Sequence, residues 1–196
     1  MHLSRPPLDR LTLGITGPLL RHSTLSTLTL DQLVTLLTRY VTESGETLDL
    51  LLIGALALPA YGIAGRATRD VDAEVAGSIG SLLDFLTNAQ VPADLTQNFS
   101  GWSIVAMPPG YRDRATVLVQ QSNLRIRILT PIDFVLAKLR RGTDVDLEDA
   151  LLVARQHRIS AADIRTNAHS ALAASPQDTA LFLFRKTVDL FCQNLP

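Results

Sequence analysis

The chain has 196 residues, with 18 Lys and Arg against 19 Asp and Glu and a formal net charge of −1. This length fits one domain with its own core, or a core domain with a small appendage, and excludes two large independent domains. The balanced charge excludes an overall field that would draw the protein to nucleic acid or to an anionic membrane. We also predict no membrane span, because no apolar run reaches the roughly 18 residues that one needs. The single cysteine, Cys192, fits a reducing, cytoplasmic setting.

The first part of the chain predicts an arm, a helix and a buried strand. Residues 1–26 contain several Pro and Gly and are predicted to form an irregular surface arm. From Leu30, apolar residues recur at helical spacing, with Thr29 as N-cap and Gln32 three residues later, which predicts a helix that begins with a capping box. The short apolar run 48–53 predicts a buried strand, and a short helix follows it.

The middle of the chain predicts further strands. Residues 70–75 alternate polar and apolar side chains, as a strand with one solvated face does. The stretch 78–90 is predicted to be a helix. A small β-meander is predicted over "WSIVAM" (102–107), "TVLVQ" (116–120) and "LRIRIL" (124–129).

After Leu129 the pattern becomes helical. Four N-cap signatures follow one another, at Thr130 with Asp133, Thr143 with Asp146, Ser160 with Asp163, and Ser175 with Asp178. We therefore predict an α+β fold class, in which a mixed α/β sheet core over 27–130 is followed by a C-terminal helical region over 131–196.

Three carboxylates, Asp70, Asp72 and Glu74, lie at alternate positions of the predicted acidic strand. Side chains two residues apart on a strand share a face, so these oxygens are placed to bind a divalent cation together. The alternative is the ordinary solvated edge of a strand. Gly54 favours the cation site, because it follows a buried strand and precedes a helix, where backbone amides can approach phosphate oxygens.

"LLIGALALPAYGIAGRATRDVD" (51–72) resembles the nucleotidyltransferase superfamily pattern of a hydrophobic strand, a Gly-Gly or Gly-Ser helix start and an Asp-x-Asp strand. It is similar in particular to the bacterial nucleotidyltransferase-like proteins related to abortive-infection (type IV) toxins. "LTPIDFVLAKLRRGTDVDLEDALLVARQH" (129–157) resembles the family's Pro-led helix with a Lys, which spaced aspartates follow. The resemblance covers about residues 30 to 160 and implies a nucleotidyltransferase-like core.

The resemblance also implies roles for single residues. Asp70 and Asp72 would hold Mg²⁺. Asp146 and Asp149 match the acids of the second motif, and we leave open whether they serve the site or only cap and solvate a helix. Binding of the nucleotide and its phosphates is implied for Gly54, Ala55, Arg66, Thr68 and Lys138.

The chain departs from the family pattern at two places. Ala55 stands where the family has a second Gly or a Ser. A third carboxylate is expected on a neighbouring strand, and the matching strand offers Arg125 and Arg127 instead. Either Glu74 completes the catalytic set, or the two arginines pair with the aspartates and leave an inactive protein.

The resemblance implies an enzyme that uses Mg²⁺ to move a nucleotidyl group from an NTP to a hydroxyl on RNA, such as tRNA, or on a protein. It further implies a toxin-like role with a cognate antitoxin. The alternative is a catalytically inactive module of the same fold that binds a nucleotide, an RNA or a partner protein. A hydrolase triad and a P-loop are unsupported, because the chain has neither a Gly-x-Ser-x-Gly elbow nor a GxxxxGK[ST] motif.

Overall fold

The structure, a computed structural model, describes residues 27–195. The arm predicted over residues 1–26 lies outside them. In the described chain the elements are α1 (Leu30–Ser44), β1 (Leu48–Leu52), a first 3-10 helix (Ala55–Tyr61), β2 (Val71–Ala76), α2 (Gly80–Asn88), β3 (Ala93–Thr96), a second 3-10 helix (Phe99–Trp102), α3 (Tyr111–Arg114), β4 (Thr116–Gln120), β5 (Leu124–Ile128), α4 (Pro131–Arg141), α5 (Asp144–Gln156), α6 (Ala161–Ala173) and α7 (Leu181–Gln193). No helix within residues 27–195 is both long and apolar enough to cross a bilayer.

The strands form one five-stranded mixed sheet in the order β3-β2-β1-β5-β4. β1 pairs antiparallel with β2 and parallel with β5. The two edge strands are β3, which runs parallel to β2, and β4, which runs antiparallel to β5. This mixed sheet, with the helices that follow it, confirms the predicted fold class.

The two faces of the sheet differ in chemistry. Because side chains alternate along a strand, Leu50 and its register partners Val75 and Ile126 share one face, and all three are buried. The other face carries the acids of β2, and the register places Asp72 beside Asp94 there. The candidate site is therefore built on the polar face, with an apolar core behind it.

Most of the predicted helix starts are present. At α1, Gln32 donates its backbone N–H to the Thr29 hydroxyl, and the Gln32 side chain accepts from the Thr29 N–H, which completes the capping box. Thr130, Thr143 and Ser160 cap α4, α5 and α6, as predicted. The fourth start was misplaced: α7 begins at Leu181, because the Asp178 carboxylate accepts from the Ala180 N–H in a turn that precedes the helix.

The strand predicted over 102–107 is wrong, and the reason is a partly buried arginine. The Arg140 guanidinium donates to the carbonyls of Phe99, Ser100 and Val105. Backbone groups that a ladder would pair are thus satisfied by a side chain, and the segment folds as a 3-10 helix and coil. A strand that the sequence reading missed, β3, completes this side of the sheet instead.

Helix α4 is the central element of the C-terminal helices. Every residue from Asp133 to Leu139 is buried, and Phe134 packs against Tyr61 with ring centroids 4.9 Å apart. Asp133 also accepts from Arg114, with the closest N···O distance at 2.9 Å. A helix buried all round belongs to a shared core. The division at residue 130 stays a prediction.

Candidate active site

Gly54 and Asp72 are in direct contact. Gly54 follows β1, and a Cβ placed on it would lie 2.4 Å from Asp72 Oδ2 and 2.7 Å from Asp72 Cβ. No side chain fits there unless Asp72 moves, so the close approach of the carboxylate favours glycine. The backbone also joins the two strands here, because the Ile53 N–H donates to the Asp72 carbonyl at 3.0 Å. The acid is thus held against the turn that follows β1.

Asp70 and Asp72 form a like-charged pair at the start of β2. Asp70 is exposed and accepts from the Thr68 hydroxyl at 2.5 Å. Asp72 is more enclosed, and burial together with the charge of Asp70 raises its pKa above the ordinary carboxyl value. Arg141, with Nη1 3.7 Å from Asp72 Oδ2, opposes that shift. Such a pair lowers its own energy when it binds a cation.

A third carboxylate stands beside this pair. Asp94 on β3 is the register partner of Asp72 on β2, so the two side chains share a face, and the charge of Asp94 also raises the pKa of Asp72. The family pattern has its third carboxylate on a neighbouring strand, which we matched to the strand of Arg125 and Arg127. The sequence signal that could have revealed Asp94 is an acid between two apolar residues, in "ADL" (93–95), shortly after the helix predicted over 78–90.

The donor chemistry of the site fits Mg²⁺. No three His, Cys, Asp or Glu side chains in the described chain are close enough to form a ready-made metal site. Mg²⁺ keeps several waters and is usually held by one or two carboxylates together with substrate phosphates. Asp70 and Asp72 would supply those carboxylates.

Lys138 is buried on α4 within a network of charges. Its Nζ lies 3.2 Å from Asp146 Oδ1 and 2.9 Å from Asp149 Oδ2, and both aspartate side chains are 1% exposed. Arg141 Nε lies 3.2 Å from the other oxygen of Asp146, and Arg66 Nε lies 2.8 Å from the other oxygen of Asp149. The network therefore joins α4 to α5 and, through Arg141, reaches Asp72.

This network bears on the roles predicted for Lys138 and for the aspartates of the second motif. The predicted role of Lys138 at the nucleotide phosphates stays a prediction, but its ammonium is already paired with two carboxylates. Asp146 and Asp149, whose role the sequence left open, are its partners. Asp146 also accepts from the Thr143 hydroxyl at 2.6 Å, so it contributes to the helix cap as well.

Glu74 lies on the polar face but is engaged elsewhere. One oxygen accepts from the Phe99 N–H at 2.8 Å and from the Tyr111 hydroxyl at 2.6 Å, and Arg112 bonds both oxygens. Burial by itself would raise the pKa of Glu74, but the hydrogen bonds from Arg112 and Tyr111 outweigh it and hold the pKa below its ordinary value. Both oxygens of Glu74 are thus engaged in contacts that hold the fold together, and its predicted place in the catalytic set stays a prediction.

The arginines of β5 do not contact the acid pair. Arg127 donates to Asp49 at 2.9 Å, and Arg125 lies 3.8 Å from the same carboxylate. The parallel register places Asp49 directly beside Arg125, whereas β1 separates β5 from β2. Two strand spacings, about 10 Å, therefore stand between the arginines and the strand of Asp72. Within the described residues, Arg125 and Arg127 therefore do not form the pairs with Asp70 or Asp72 that the inactive alternative expects.

A cavity of about 500 Å³ brings together three of the residues expected to bind phosphate, Ala55, Arg66 and Thr68. Thr68 also donates to Asp70, so the cavity adjoins the acid pair.

The chain is similar to a described protein family and to a solved structure. A family model described as "nucleotidyltransferase of unknown function (DUF6036)" matches residues 28–182. An antigenic nucleotidyltransferase-like protein from Paracoccidioides brasiliensis, a solved crystal structure, is 16% identical, with a TM-score of 0.40 over 79% of this chain and 96% of that one. No curated protein matches the chain. Because the family model spans well over half of the sequence, the chain belongs to the family of nucleotidyltransferases of unknown function (DUF6036).

Proposed function

We propose that this protein is a Mg²⁺-dependent nucleotidyltransferase that moves a nucleotidyl group from an NTP to a hydroxyl on RNA or protein. The observation that carries the proposal is the contact between Gly54 and Asp72. A polar strand edge that only needed solubility would not require a glycine at the end of the neighbouring strand. A site that holds phosphate and metal side by side does require one.

The reaction is a displacement at the α-phosphorus of the NTP. The acceptor oxygen forms a bond to that phosphorus, while the bond to the oxygen that bridges the α- and β-phosphates breaks, and pyrophosphate leaves with that electron pair. When bound, Mg²⁺ neutralises charge on the phosphate oxygens. Asp70 and Asp72 would hold the ion. Asp94, in register with Asp72, is the carboxylate that we assign to take the hydroxyl proton.

Two observations bear on whether the site is active. The ion pairs of Arg125 and Arg127 with Asp49 favour activity, because they leave the acid pair to a metal. The contact of Arg141 with Asp72 favours the inactive alternative, in which a guanidinium replaces the metal and the fold binds a nucleotide, an RNA or a partner protein. We place activity first, since Arg141 is half exposed and has Asp146 as its closer partner.

The resemblance of residues 51–72 and 129–157 to abortive-infection nucleotidyltransferases supports a more specific biological setting. We propose a bacterial toxin that is neutralised by a cognate antitoxin and that acts in the cytoplasm, where NTPs and tRNA are available. Expression in a bacterial host tests this part: wild type should arrest growth, and Asp70→Asn should not. Normal growth with confirmed full-length wild type would contradict it.

Calorimetric titration of Mg²⁺, with and without an NTP, tests the enzymatic activity. Wild type should bind the ion, and Asp70→Asn should lose both binding and transfer of label from NTP to tRNA or to protein. Glu74→Gln is the matched control, since it alters a carboxylate on the same strand whose oxygens are already engaged, and it should still bind Mg²⁺ while folded. Absence of metal heat in wild type under both conditions would overturn the proposal.

Arg141→Ala separates the two alternatives further. If the enzyme is active, removal of the guanidinium should change Mg²⁺ affinity only modestly, because the ion binds in its presence. If Mg²⁺ binds only after this substitution, the arginine occupies the metal position and the protein is the inactive module.

A further inference from the structure

A second cavity, of about 300 Å³, opens beside the acid pair on the side of β3. Its lining includes Asp94, Trp102, Arg140 and Arg141. It is distinct from the cavity of Ala55, Arg66 and Thr68, because the two share no lining residue. Its volume is at the lower end of the range of small-molecule sites.

The aromatic part of the cavity is Trp102. Its side chain is 37% exposed although it is large and apolar. Phe99 supports it from within the fold, with ring centroids 5.4 Å apart and planes at 82°. An indole held in this way offers a fixed flat surface, on which a nucleobase can stack.

The cationic part of the cavity is Arg140. Its Nε donates to the Val105 carbonyl at 2.7 Å and its Nη2 to the Ser100 carbonyl at 2.8 Å, so the guanidinium is rigidly held. All of its described partners are neutral carbonyls, and within residues 27–195 its Nη1 has no hydrogen-bond partner. Burial lowers the pKa of Arg140 to about 10. A partly buried guanidinium that lines the cavity and has only neutral partners within the described residues favours an anion there.

The sheet order decides which substrate this cavity serves, provided that the proposed transfer reaction is right. Attacking and leaving oxygens lie roughly in line across the α-phosphorus. Gly54, where the phosphates of the NTP would lie, follows β1, whereas Asp94 lies on β3, and Asp72 on β2 stands between them. If pyrophosphate leaves on the Gly54 side, the acceptor must approach from the Asp94 side.

We propose that the cavity of Trp102 and Arg140 is the acceptor subsite and that it takes a nucleotide. The base stacks on Trp102, and a phosphate pairs with Arg140. The hydroxyl then faces Asp94. A protein hydroxyl would use neither the exposed indole nor a guanidinium whose charge no described carboxylate neutralises, so the acceptor class is a nucleic-acid terminus.

The single tryptophan of the chain makes this proposal directly measurable. AMP, CMP, GMP and UMP are titrated into wild type in EDTA, so that binding is observed without metal or transfer. Quenching of Trp102 fluorescence that saturates is expected. By calorimetry, Trp102→Ala should weaken binding by about tenfold. Phe182→Ala, which removes an exposed aromatic ring on α7, should have no effect.

Arg140→Gln should weaken the same binding, and its far-ultraviolet circular dichroism spectrum shows whether the variant still folds. Unchanged Trp102 fluorescence with all four nucleotides would overturn the subsite, even if the enzyme transfers label from NTP. If nucleotides quench Trp102 but no transfer occurs with any acceptor, the nucleotide site stands and the proposed function fails. If Trp102→Ala raises the KM for NTP and leaves that for RNA unchanged, or if protein is labelled at the wild-type rate, the acceptor assignment is wrong.

Discussion

At the scale of single residues, the site depends on how closely Asp72 approaches Gly54. The carboxylate fills the space that any other side chain at position 54 would need. The same enclosure raises the pKa of Asp72, because burial and the charge of Asp70 both disfavour its ionised form. The same close packing thus fixes the position of the Asp72 carboxylate and makes its negative charge unfavourable.

We predict that Gly54→Ala displaces Asp72. The new methyl would lie 2.4 Å from its Oδ2, so the strand or the side chain must move, at a cost of about 1–3 kcal/mol in unfolding free energy. Mg²⁺ affinity and transfer should fall with it. Gly80→Ala is the matched control, because a Cβ there meets nothing within 4 Å, and denaturant unfolding should show little change for it. Equal stability and Mg²⁺ affinity in Gly54→Ala and wild type would contradict the prediction.

We predict that Asp72→Asn makes the metal-free protein more stable at pH 7. A carboxyl with a raised folded-state pKa takes up its proton more readily in the folded chain, so wild type loses stability as pH rises from the ordinary carboxyl range through that raised pKa. The variant lacks this loss. Its melting temperature should exceed that of wild type at pH 7, by about 2–4 °C for each kcal/mol, and the difference should narrow on acidification.

The control for that measurement is Asp84→Asn, an exposed aspartate on α2, whose melting temperature should follow wild type at every pH. A lower melting temperature for Asp72→Asn at pH 7 would mean that the ion pair with Arg141 outweighs burial and the repulsion from Asp70.

At the scale of elements, α4 and α5 are joined by buried charge as well as by apolar packing. Lys138 bridges Asp146 and Asp149. The rim arginines, Arg66 and Arg141, compensate the excess negative charge. Removing one member of such a network leaves the others buried without a partner, which costs more than the network itself contributes.

We predict that Lys138→Met lowers the unfolding free energy by about 3–5 kcal/mol, because Asp146 and Asp149 would remain buried without their ammonium. Lys186→Met, at the other lysine of the chain, replaces an exposed side chain and should change stability by at most about 0.5 kcal/mol. Urea unfolding of both variants measures the contrast. A stable Lys138→Met with loss of NTP binding alone would instead support the phosphate role that the sequence predicted.

At the scale of the whole molecule, the sheet and the C-terminal helices share one set of contacts. Tyr61 of the first 3-10 helix donates to the Leu129 carbonyl at 2.7 Å, and its own carbonyl contacts the His157 ring at 3.1 Å. Asp133, fully buried on α4, accepts from Arg114, which precedes β4. Without the C-terminal helices the sheet region would lose these hydrogen-bond partners, and the helices would lose theirs without the sheet region.

We predict one cooperative unfolding transition for the two parts. Far-ultraviolet circular dichroism follows all helices, whereas Trp102 fluorescence reports the second 3-10 helix and the cavity that it shares with α4. Coincident midpoints in urea are expected, and a fragment that ends at residue 130 should not fold, because it would expose the surface that α4 covers. Two separate transitions would contradict this and would support independent domains.

The sequence by itself determined the features that local chemistry specifies. The capping box at Thr29 and the cap at Thr130 depend on residues three apart, and the strand of Asp72 depends on alternation along a few residues. Gly54 after a buried strand, and Asp72 and Glu74 on β2, could therefore be recognised from the sequence alone. The mixed sheet with a helical C-terminal part followed from the order of these elements.

Only the tertiary structure decided which charges meet. β5 lies beside β1 and not beside β2, so Arg127 reaches Asp49 and leaves the acid pair free of it. β3, too short for its pattern to be read, lies against β2 and places Asp94 next to Asp72. The physical reason is that the order of strands in a sheet depends on the burial of a whole apolar face. No short stretch of sequence contains that information.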